Sequence, residues 1–322
     1  MVTDAIHVER QVQSAKGDAL VLEAPDLAII TVRGSDRQSW LNGLFTCDLA
    51  RLRAGEAAYG LLVEKKGKIQ SDLIALLGAD ECVLVVPRVV ESSLREVFES
   101  HLVMEAAEID PCSTDVRIFM VHGPRSSDVL DAARASGCSG APFDRTGLGG
   151  ALVLVPQAAR FDASRASRAT WGDEAGWEAL RIERGIPRFG SDFDSSLYPQ
   201  EAGLERVAVS FSKGCYLGQE VVYMLENRGQ VKRRLAVFVL DSPDVPARGT
   251  AVLDADGGHV GEVTSAVFSP TARAPLAFAL VKRVHAEPEA EVNISSARAR
   301  HWQPESSPRR RAQTSEEETE IS

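Results

Sequence analysis

The segment with the clearest chemical potential is a glycine-rich turn that presents a cysteine. Its residues are Lys213, Gly214, Cys215, Tyr216, Leu217, Gly218, Gln219 and Glu220. An apolar stripe with helical spacing overlaps its end, at Leu217, Val221, Met224 and Leu225, and predicts a helix that begins beside the cysteine. The free N–H groups of a first helical turn and a nearby lysine both favour a thiolate. The segment therefore predicts either a reactive thiol at Cys215 or, as is common for free cysteine, an inert buried one.

A second candidate is the acid in the apolar stretch 69–77, Ile-Gln-Ser-Asp-Leu-Ile-Ala-Leu-Leu. Both alternating faces of this predicted strand are apolar after Asp72, so we expect the strand to be covered on both faces and the carboxylate to be buried. A buried carboxylate destabilises the fold unless it is paired or hydrogen-bonded. Asp72 is therefore predicted to be either a functional acid or a structural acceptor for backbone N–H groups.

The octapeptide Lys-Gly-Cys-Tyr-x-Gly-Gln-Glu at 213–220 resembles the signature of the YgfZ family of folate-binding proteins. That family is related to the glycine-cleavage T-protein, an aminomethyltransferase, and to a mitochondrial iron–sulfur assembly factor. The Cys-Tyr pair is typical of the YgfZ branch. The resemblance covers roughly residues 25–295. It implies tetrahydrofolate or a one-carbon derivative as cofactor, iron–sulfur assembly proteins or enzymes as partners, and a role in cluster assembly or repair and thereby in tRNA modification.

The same resemblance implies which residues form the site. Asp72 takes the second acidic position of a Gly-Gly-x-x-Asp-Asp-Leu segment that lies beside the folate, and Ser71 takes the first. Arg181 matches the folate-binding arginine of a Leu-Arg-x-Glu-x-Gly helix, although an ion pair with Glu178 one turn earlier is the structural alternative. Glu201 matches a Leu-Pro-x-Glu segment, where a carboxylate accepts hydrogen bonds from a pterin.

Taken together, the resemblance implies catalytic roles for Cys215 and Asp72, and folate binding by Asp72, Arg181 and Glu201, all gathered around one cavity. Two positions depart from the family pattern. The segment 145–150, Arg-Thr-Gly-Leu-Gly-Gly, lacks the acid by which the T-protein contacts the pterin. Met224 stands where relatives often carry a basic residue.

Two other functions remain open. A true aminomethyltransferase is favoured by Asp72 and Arg181 and disfavoured by the missing acid and by the YgfZ form of the cysteine segment. A non-catalytic scaffold that docks cluster-transfer proteins is the third possibility, and it would tolerate substitution of both Cys215 and Asp72.

Composition bounds these functions. The 322 residues fit about two domains, and the net charge of −10 disfavours direct binding of RNA. The sequence contains neither an apolar run long enough to span a membrane nor a secretory signal. The cysteines are scattered without metal-site spacing, which predicts free thiols, no resident metal and a cytoplasmic location; they are Cys47, Cys82, Cys112, Cys138 and Cys215.

Alternating strand and helix patterns predict an α+β fold of mixed sheets and helices with a small antiparallel β-barrel at its C-terminal end. Strands are predicted at 27–32, 59–63, 69–77, 82–87, 115–121 and 151–155, and helices at 35–44, 89–103, 124–136, 177–185 and 217–229. Five close strands follow within 235–294. The predicted domains are a folate-binding unit at 1–232, which starts with an edge segment over 1–25, a barrel at 233–296 and a disordered tail at 297–322.

Overall fold

A computed structural model of the chain describes residues 2–110, 115–165, 168–227, 229 and 231–303. The helices of this part are α1 (Val2–Gly17), α2 (Arg37–Leu44), α3 (Glu91–His101), α4 (Ser126–Ala135), α5 (Glu174–Glu183), α6 (Glu205–Ala208) and α7 (Gln219–Asn227). Its strands are β1 (Leu20–Glu23), β2 (Leu27–Arg33), β3 (Ala57–Val63), β4 (Ile69–Leu77), β5 (Glu81–Pro87), β6 (Glu108–Ile109), β7 (Val116–His122), β8 (Ser139–Pro142), β9 (Gly150–Pro156), β10 (Thr170–Trp171), β11 (Arg233–Leu240), β12 (Ala251–Leu253), β13 (His259–Ser269), β14 (Ala274–Lys282), β15 (Glu291–Ile294) and β16 (Ala297–His301). They form two five-stranded sheets and a closed barrel, which confirms the predicted α+β architecture.

The two sheets pack face to face. One has the order β3-β4-β5-β2-β6 and the other the order β10-β1-β7-β9-β8. Ile74 of β4 shares a buried cluster with Ile118 of β7 and Leu152 of β9, so this cluster joins the inner faces of both sheets. On the outer face of the first sheet, Leu73 packs in a second cluster with Phe98 of α3.

Strand β4 shows how an acid comes to lie between the sheets. Successive side chains of a strand point to opposite faces, so Asp72 shares the inner face with Ile74. Leu61 of β3 is its register partner and Tyr59 is paired with Ile74, which sets Tyr59 diagonally across from the acid. Such diagonal neighbours lie within reach of a tyrosine side chain. The register of β3 and β4 therefore brings Tyr59 and Asp72 together.

Helix α5 bounds the space between the sheets on one side. Its N-cap is Asp173, whose carboxylate accepts a hydrogen bond from the N–H of Gly176 at 3.0 Å. The chain leaves the helix through Gly185, which has a φ of +65° and thus provides the left-handed turn that ends many helices. Ile182 of α5 packs against Leu235 and other apolar residues of the barrel.

The barrel closes in the order β11-β14-β13-β12-β15-β16, with β16 paired to β11. It runs from Arg233 to His301, so the predicted end of the domain at 296 is too early. The last hairpin turns at Ser295 and Ser296, whose φ values are +49° and +65°. Tight hairpin turns of this kind usually carry Asn or Gly, so two serines gave no signal that another strand follows. The remainder of the predicted tail, from residue 304, lies outside the described residues, as does Cys112.

Two further expectations are corrected. The segment predicted as an edge over 1–25 is mostly helix α1, whose Val12 packs against α5. The first half of this helix is polar and exposed, so the sequence shows no clear helical spacing of apolar residues. In α7 the buried residue is Val222, while Met224 of the predicted apolar stripe is 52% exposed. Among the helices of the described part, none is both long and apolar enough to cross a membrane.

Candidate functional site

A cavity of about 1050 Å³, measured out to its open mouth, lies between the two sheets beside α5. Strands β3 and β4 contribute Tyr59 and Asp72, β7 contributes His122, and α5 contributes Trp177 and Arg181. Sites for small organic molecules are typically concave, with apolar and aromatic walls and a few polar groups. The lining of this cavity has that character, so it is the candidate site for such a molecule.

The acid of the cavity is part of a small polar group. The hydroxyl of Tyr59 donates a hydrogen bond to Oδ2 of Asp72 at 2.9 Å, and the guanidinium carbon of Arg145 lies 3.8 Å from the centroid of the Tyr59 ring. Oδ1 of Asp72 is buried without a hydrogen-bond partner. Burial raises the pKa of Asp72, against the charge of Arg145 and the hydrogen bond of Tyr59, which both lower it. Ser71 points to the other face of the sheet, where its hydroxyl donates to the carbonyl oxygen of Asp72.

The opposite wall carries two stacked rings. The imidazole of His122 lies parallel to the indole of Trp177, with 4.9 Å between the ring centroids and 5° between the planes. His122 is 1% exposed, and neither of its ring nitrogens has a hydrogen-bond partner. Burial lowers the pKa of His122 to about 4, so the imidazole is neutral at pH 7. Neither residue stands out in the sequence as a site residue, because one ends an apolar strand and the other begins an ordinary amphipathic helix.

Arg181 lines the same cavity, but its guanidinium is already bound. Nε and Nη2 donate to the two carboxylate oxygens of Glu178 at 2.5 Å each, and Nη1 donates to Asp192 at 2.7 Å and to the carbonyl oxygen of Ile186 at 3.3 Å. These bonds use all but one of the five N–H groups of an arginine. The ion pair with Glu178 that the sequence left open is therefore present, together with a second one that only the fold creates.

Asp192 extends this arrangement to the barrel. Its Oδ1 accepts hydrogen bonds from the hydroxyls of Thr264 and Ser265 on β13, at 2.7 and 2.5 Å. Both side chains of the Arg181–Asp192 ion pair are almost completely buried. The pair therefore ties α5, and with it one wall of the cavity, to the C-terminal barrel.

Glu201 lies elsewhere and is absent from the cavity lining. Its carboxylate accepts a hydrogen bond from the N–H of Tyr198 at 3.2 Å and lies 3.6 Å from Nε of Arg233. Its carbonyl oxygen accepts from the N–H of Leu235 at 2.8 Å. These contacts connect the 198–201 turn to the first strand of the barrel.

The cysteine segment is anchored from within by its lysine and its tyrosine. The ammonium group of Lys213 donates to the carbonyl oxygens of Asn42, Phe45 and Cys47, each at 2.7 Å. Tyr216 is 7% exposed and packs in the cluster between the sheets, where burial raises its pKa to about 12. Lys213 is thus occupied by backbone oxygens and fixes the shape of the loop.

Gly218 fixes where this loop lies. It has a φ of +75°, and a Cβ atom at this position would stand 2.3 Å from the carbonyl oxygen of Glu64 in the turn between β3 and β4. Only glycine permits both this backbone conformation and this approach. Gly214 faces open space, Gln219 begins α7 and Glu220 is exposed. The segment is therefore held against the turn of the β3–β4 hairpin.

Cys215 is exposed, whereas Cys47, Cys82 and Cys138 are buried. It does not line the cavity. The hairpin turn ends at Lys68, four residues before Asp72, which corresponds to roughly 13 Å along an extended strand. Of the four residues expected around one cavity, Asp72 and Arg181 line it, whereas Cys215 and Glu201 do not. The contact of Gly218 with the hairpin turn fixes where the cysteine loop lies.

The loop that lacks the family's pterin-binding acid is itself held in shape by another acid, Asp144. The carboxylate of Asp144 accepts hydrogen bonds from the N–H groups of Thr146, Gly147 and Gly149, at 2.9, 2.8 and 3.0 Å. Leu148 turns toward the apolar cluster that also contacts Trp177. The segment without the family's acid therefore packs an apolar side chain against the cluster that also contacts the ring wall of the cavity.

Comparison with known proteins agrees with this architecture. Residues 4–179 match the family model described as the GCVT N-terminal domain, and residues 233–303 match the glycine cleavage T-protein C-terminal barrel domain. The aminomethyltransferase of Thermoanaerobacter pseudethanolicus is 24% identical over 310 residues, which cover 88% of this chain and 83% of that protein. The tRNA-modifying protein YgfZ of Yersinia pestis, strain Pestoides F, is 26% identical over 265 residues, which cover 77% and 80%.

A solved structure shares the whole fold. The glycine cleavage system aminomethyltransferase T from Bartonella henselae aligns with a TM-score of 0.79 at 20% identity, covering 92% of this chain and 89% of that one. Relatives of both kinds match the chain at similar identity. Overall similarity therefore does not separate the two activities, and the choice between them depends on the residues of the two sites.

Proposed function

Because the chain belongs to the glycine-cleavage T-protein family, we propose that it is a YgfZ-type folate-binding protein that supports the assembly or repair of iron–sulfur clusters, and thereby tRNA modification, in the cytoplasm. Tetrahydrofolate is the cofactor bound by proteins of this family. The observation that carries the YgfZ assignment is the exposed thiol of Cys215 within the Lys-Gly-Cys-Tyr-x-Gly-Gln-Glu segment.

The residues of the cavity fit a flat heterocycle with polar edges. The indole of Trp177 provides an aromatic wall, and the unpartnered Oδ1 of Asp72 provides a hydrogen-bond acceptor that no protein group uses. When bound, tetrahydrofolate supplies nitrogen atoms that carry or accept a one-carbon unit. Asp72 and Trp177 are the residues we propose to hold it.

Asp72 is suited to hold a proton for this cofactor. Because burial raises its pKa, the carboxyl group keeps a proton at a higher pH than an exposed aspartate does. Oδ2 is occupied by the Tyr59 hydroxyl, so Oδ1 is the atom that would give or take the proton. Nearby, the positive charge of Arg145 limits how far the pKa rises.

Arg181 and Glu201 take supporting roles in this proposal. Arg181 holds α5 against the barrel through Asp192, and so positions Trp177 on the wall of the cavity. Glu201 holds the 198–201 turn against β11 and does not touch the cofactor.

Cys215 serves a separate, outward-facing function. Its exposure and its absence from the cavity lining favour contact with another macromolecule, such as an iron–sulfur enzyme or an assembly protein. Lys213 and Tyr216 keep the loop in one shape, so the thiol is presented from a rigid support.

A genetic test examines the role of the thiol. In a strain that lacks its own YgfZ-type gene, the wild-type protein is expected to restore the activity of an iron–sulfur enzyme involved in tRNA modification. Cys215→Ser is expected to fail, while the matched control Ser212→Ala, an exposed neighbour, restores activity. Full restoration by Cys215→Ser together with Asp72→Asn would instead support the scaffold function.

The aminomethyltransferase alternative is favoured by the position of Asp72 in the cavity. It is tested directly by mixing the purified protein with an aminomethylated lipoyl carrier protein and tetrahydrofolate. We expect no methylene-tetrahydrofolate at catalytic rates. Its rapid formation, lost in Asp72→Asn, would overturn the YgfZ assignment.

A further inference from the structure

His122 is a buried polar residue to which the family resemblance gives no role. It ends strand β7, is 1% exposed and lines the cavity, yet neither ring nitrogen has a hydrogen-bond partner. A buried polar group without a partner destabilises a protein, and most such groups are satisfied by protein, water or ligand. The two open nitrogens of His122 therefore mark a place where a polar partner from outside the chain belongs.

The orientation of the ring is fixed before any ligand arrives. The parallel stack on Trp177, at 4.9 Å and 5°, holds the plane of the imidazole. Trp177 lies on α5, which the Arg181–Asp192 ion pair ties to the barrel. Because the ring is held in this way, its nitrogens can orient a bound ligand as well as bind it.

The charged groups near His122 leave it neutral. Asp144 raises its pKa and Arg145 lowers it, but both have a smaller effect than burial. The carboxylate of Asp144 accepts hydrogen bonds from the N–H groups of its own loop, and the guanidinium of Arg145 lies over the ring of Tyr59. A neutral imidazole has one N–H donor and one unprotonated nitrogen acceptor. It can therefore bind either an acceptor or a donor group at the edge of a ligand's ring.

The loop beside this wall also departs from the family pattern, because the segment 145–150 lacks the acid by which the T-protein contacts the pterin. Leu148 of this segment and Trp177 contact the same apolar cluster. We propose that His122 is the residue that recognises the polar edge of the ligand's ring in this chain, in place of that missing acid. The ligand class is an uncharged fused-ring lactam such as a pterin. This inference rests on the proposed folate site.

Asp72 lies on one wall of the cavity, and the neutral His122 stands on the other. Among the other acids of the lining, Asp26 and Glu174 are paired with Arg188. A carboxylate at the place of His122 would favour a cationic ring or a ring edge made of N–H donors only. A neutral imidazole instead accepts a ring that presents a carbonyl oxygen or a ring N–H group, which are the groups of a lactam.

The test compares tetrahydrofolate binding to the wild type, His122→Phe and His122→Gln by isothermal titration. Phenylalanine keeps an aromatic ring against Trp177 but forms no hydrogen bond, whereas glutamine keeps one donor and one acceptor. We expect the dissociation constant to rise about tenfold or more in His122→Phe, the factor associated with one lost hydrogen bond, and less than about threefold in His122→Gln. Urea unfolding midpoints of all three proteins establish that the variants are folded.

A second measurement needs no variant. The ¹⁵N chemical shifts of His122 in labelled wild-type protein are expected to move on binding, as one nitrogen gains a hydrogen-bond partner. Equal dissociation constants for the wild type and His122→Phe, or unchanged ¹⁵N shifts in the bound state, would overturn the role of His122 alone. No binding of tetrahydrofolate to the wild type would overturn the folate site itself and this inference with it.

Discussion

Replacing His122 by phenylalanine should change how the protein responds to acid. Burial lowers the pKa of His122 from 6.5 to about 4 in the folded protein. As the pH falls through this interval, the unfolded chain binds a proton that the native protein does not bind, so the free energy of unfolding decreases. The contribution of His122 to stability is therefore intact above about pH 6.5 and is lost progressively toward pH 4.

The size of the effect follows from the two pKa values. A difference of one pKa unit corresponds to about 1.4 kcal/mol. Between pH 7 and pH 4.5, His122 therefore lowers the free energy of unfolding of the wild type by about 2 kcal/mol. Asp144 and Arg145, the charged groups that act on the ring, remain in the variant, so the difference between the two proteins isolates the histidine.

Urea unfolding at pH 7 and at pH 4.5 measures this difference. His122→Phe should lose about 2 kcal/mol less than the wild type when the pH is lowered. His259→Phe, at a histidine whose side chain is 58% exposed, is the matched control and should follow the wild type. The same loss in the wild type and in His122→Phe would refute the claim that His122 is buried in the neutral form.

Three further predictions concern the cysteine segment and the ion pair. Gly218→Ala should lower the free energy of unfolding by about 2 kcal/mol, because Gly218 has a positive φ and a Cβ atom there would lie 2.3 Å from a carbonyl oxygen. Gly214→Ala, where the added Cβ meets open space, should change the free energy of unfolding by less than about 0.5 kcal/mol. Thermal unfolding of the two variants and the wild type measures this difference. Arg181→Met should lower the free energy of unfolding, measured with urea, by about 3–5 kcal/mol because it leaves the carboxylate of Asp192 buried without its charge partner. A loss below about 1 kcal/mol would contradict a stabilising role of this ion pair. Iodoacetamide should label Cys215 in the native protein well before the buried cysteines, as peptide mass spectrometry will show, and equal rates would contradict its exposure.

Much of the fold was predictable because its signals are local. The segment 69–77 is apolar on both faces, which predicts a strand covered on both sides. In the structure this segment is β4, and it packs between two apolar clusters. The barrel was predictable from short strands separated by turns, except for β16, whose preceding turn is made of two serines. Helix α1 was missed because its exposed half is polar and only a few positions, such as Val12, pack against α5.

The composition of the site was less predictable, because it depends on contacts between distant segments. The sequence showed Arg181 beside Glu178 but gave no sign of Asp192, which the chain brings back after the helix has ended. It indicated a cysteine in a tight turn but not which surface that turn would face, since this depends on the approach of Gly218 to the β3–β4 hairpin. The stack of His122 on Trp177 joins a strand end to a helix and exists only in the folded protein.

The central claim is that the folate cavity and the thiol are separate sites on one protein. Titration with tetrahydrofolate tests it when the native protein is compared with protein alkylated at Cys215 and with Trp177→Ala. We expect alkylation to change the dissociation constant by less than about twofold, and loss of the indole to raise it about tenfold or more. Binding abolished by alkylation, or unaffected by Trp177→Ala, would contradict it.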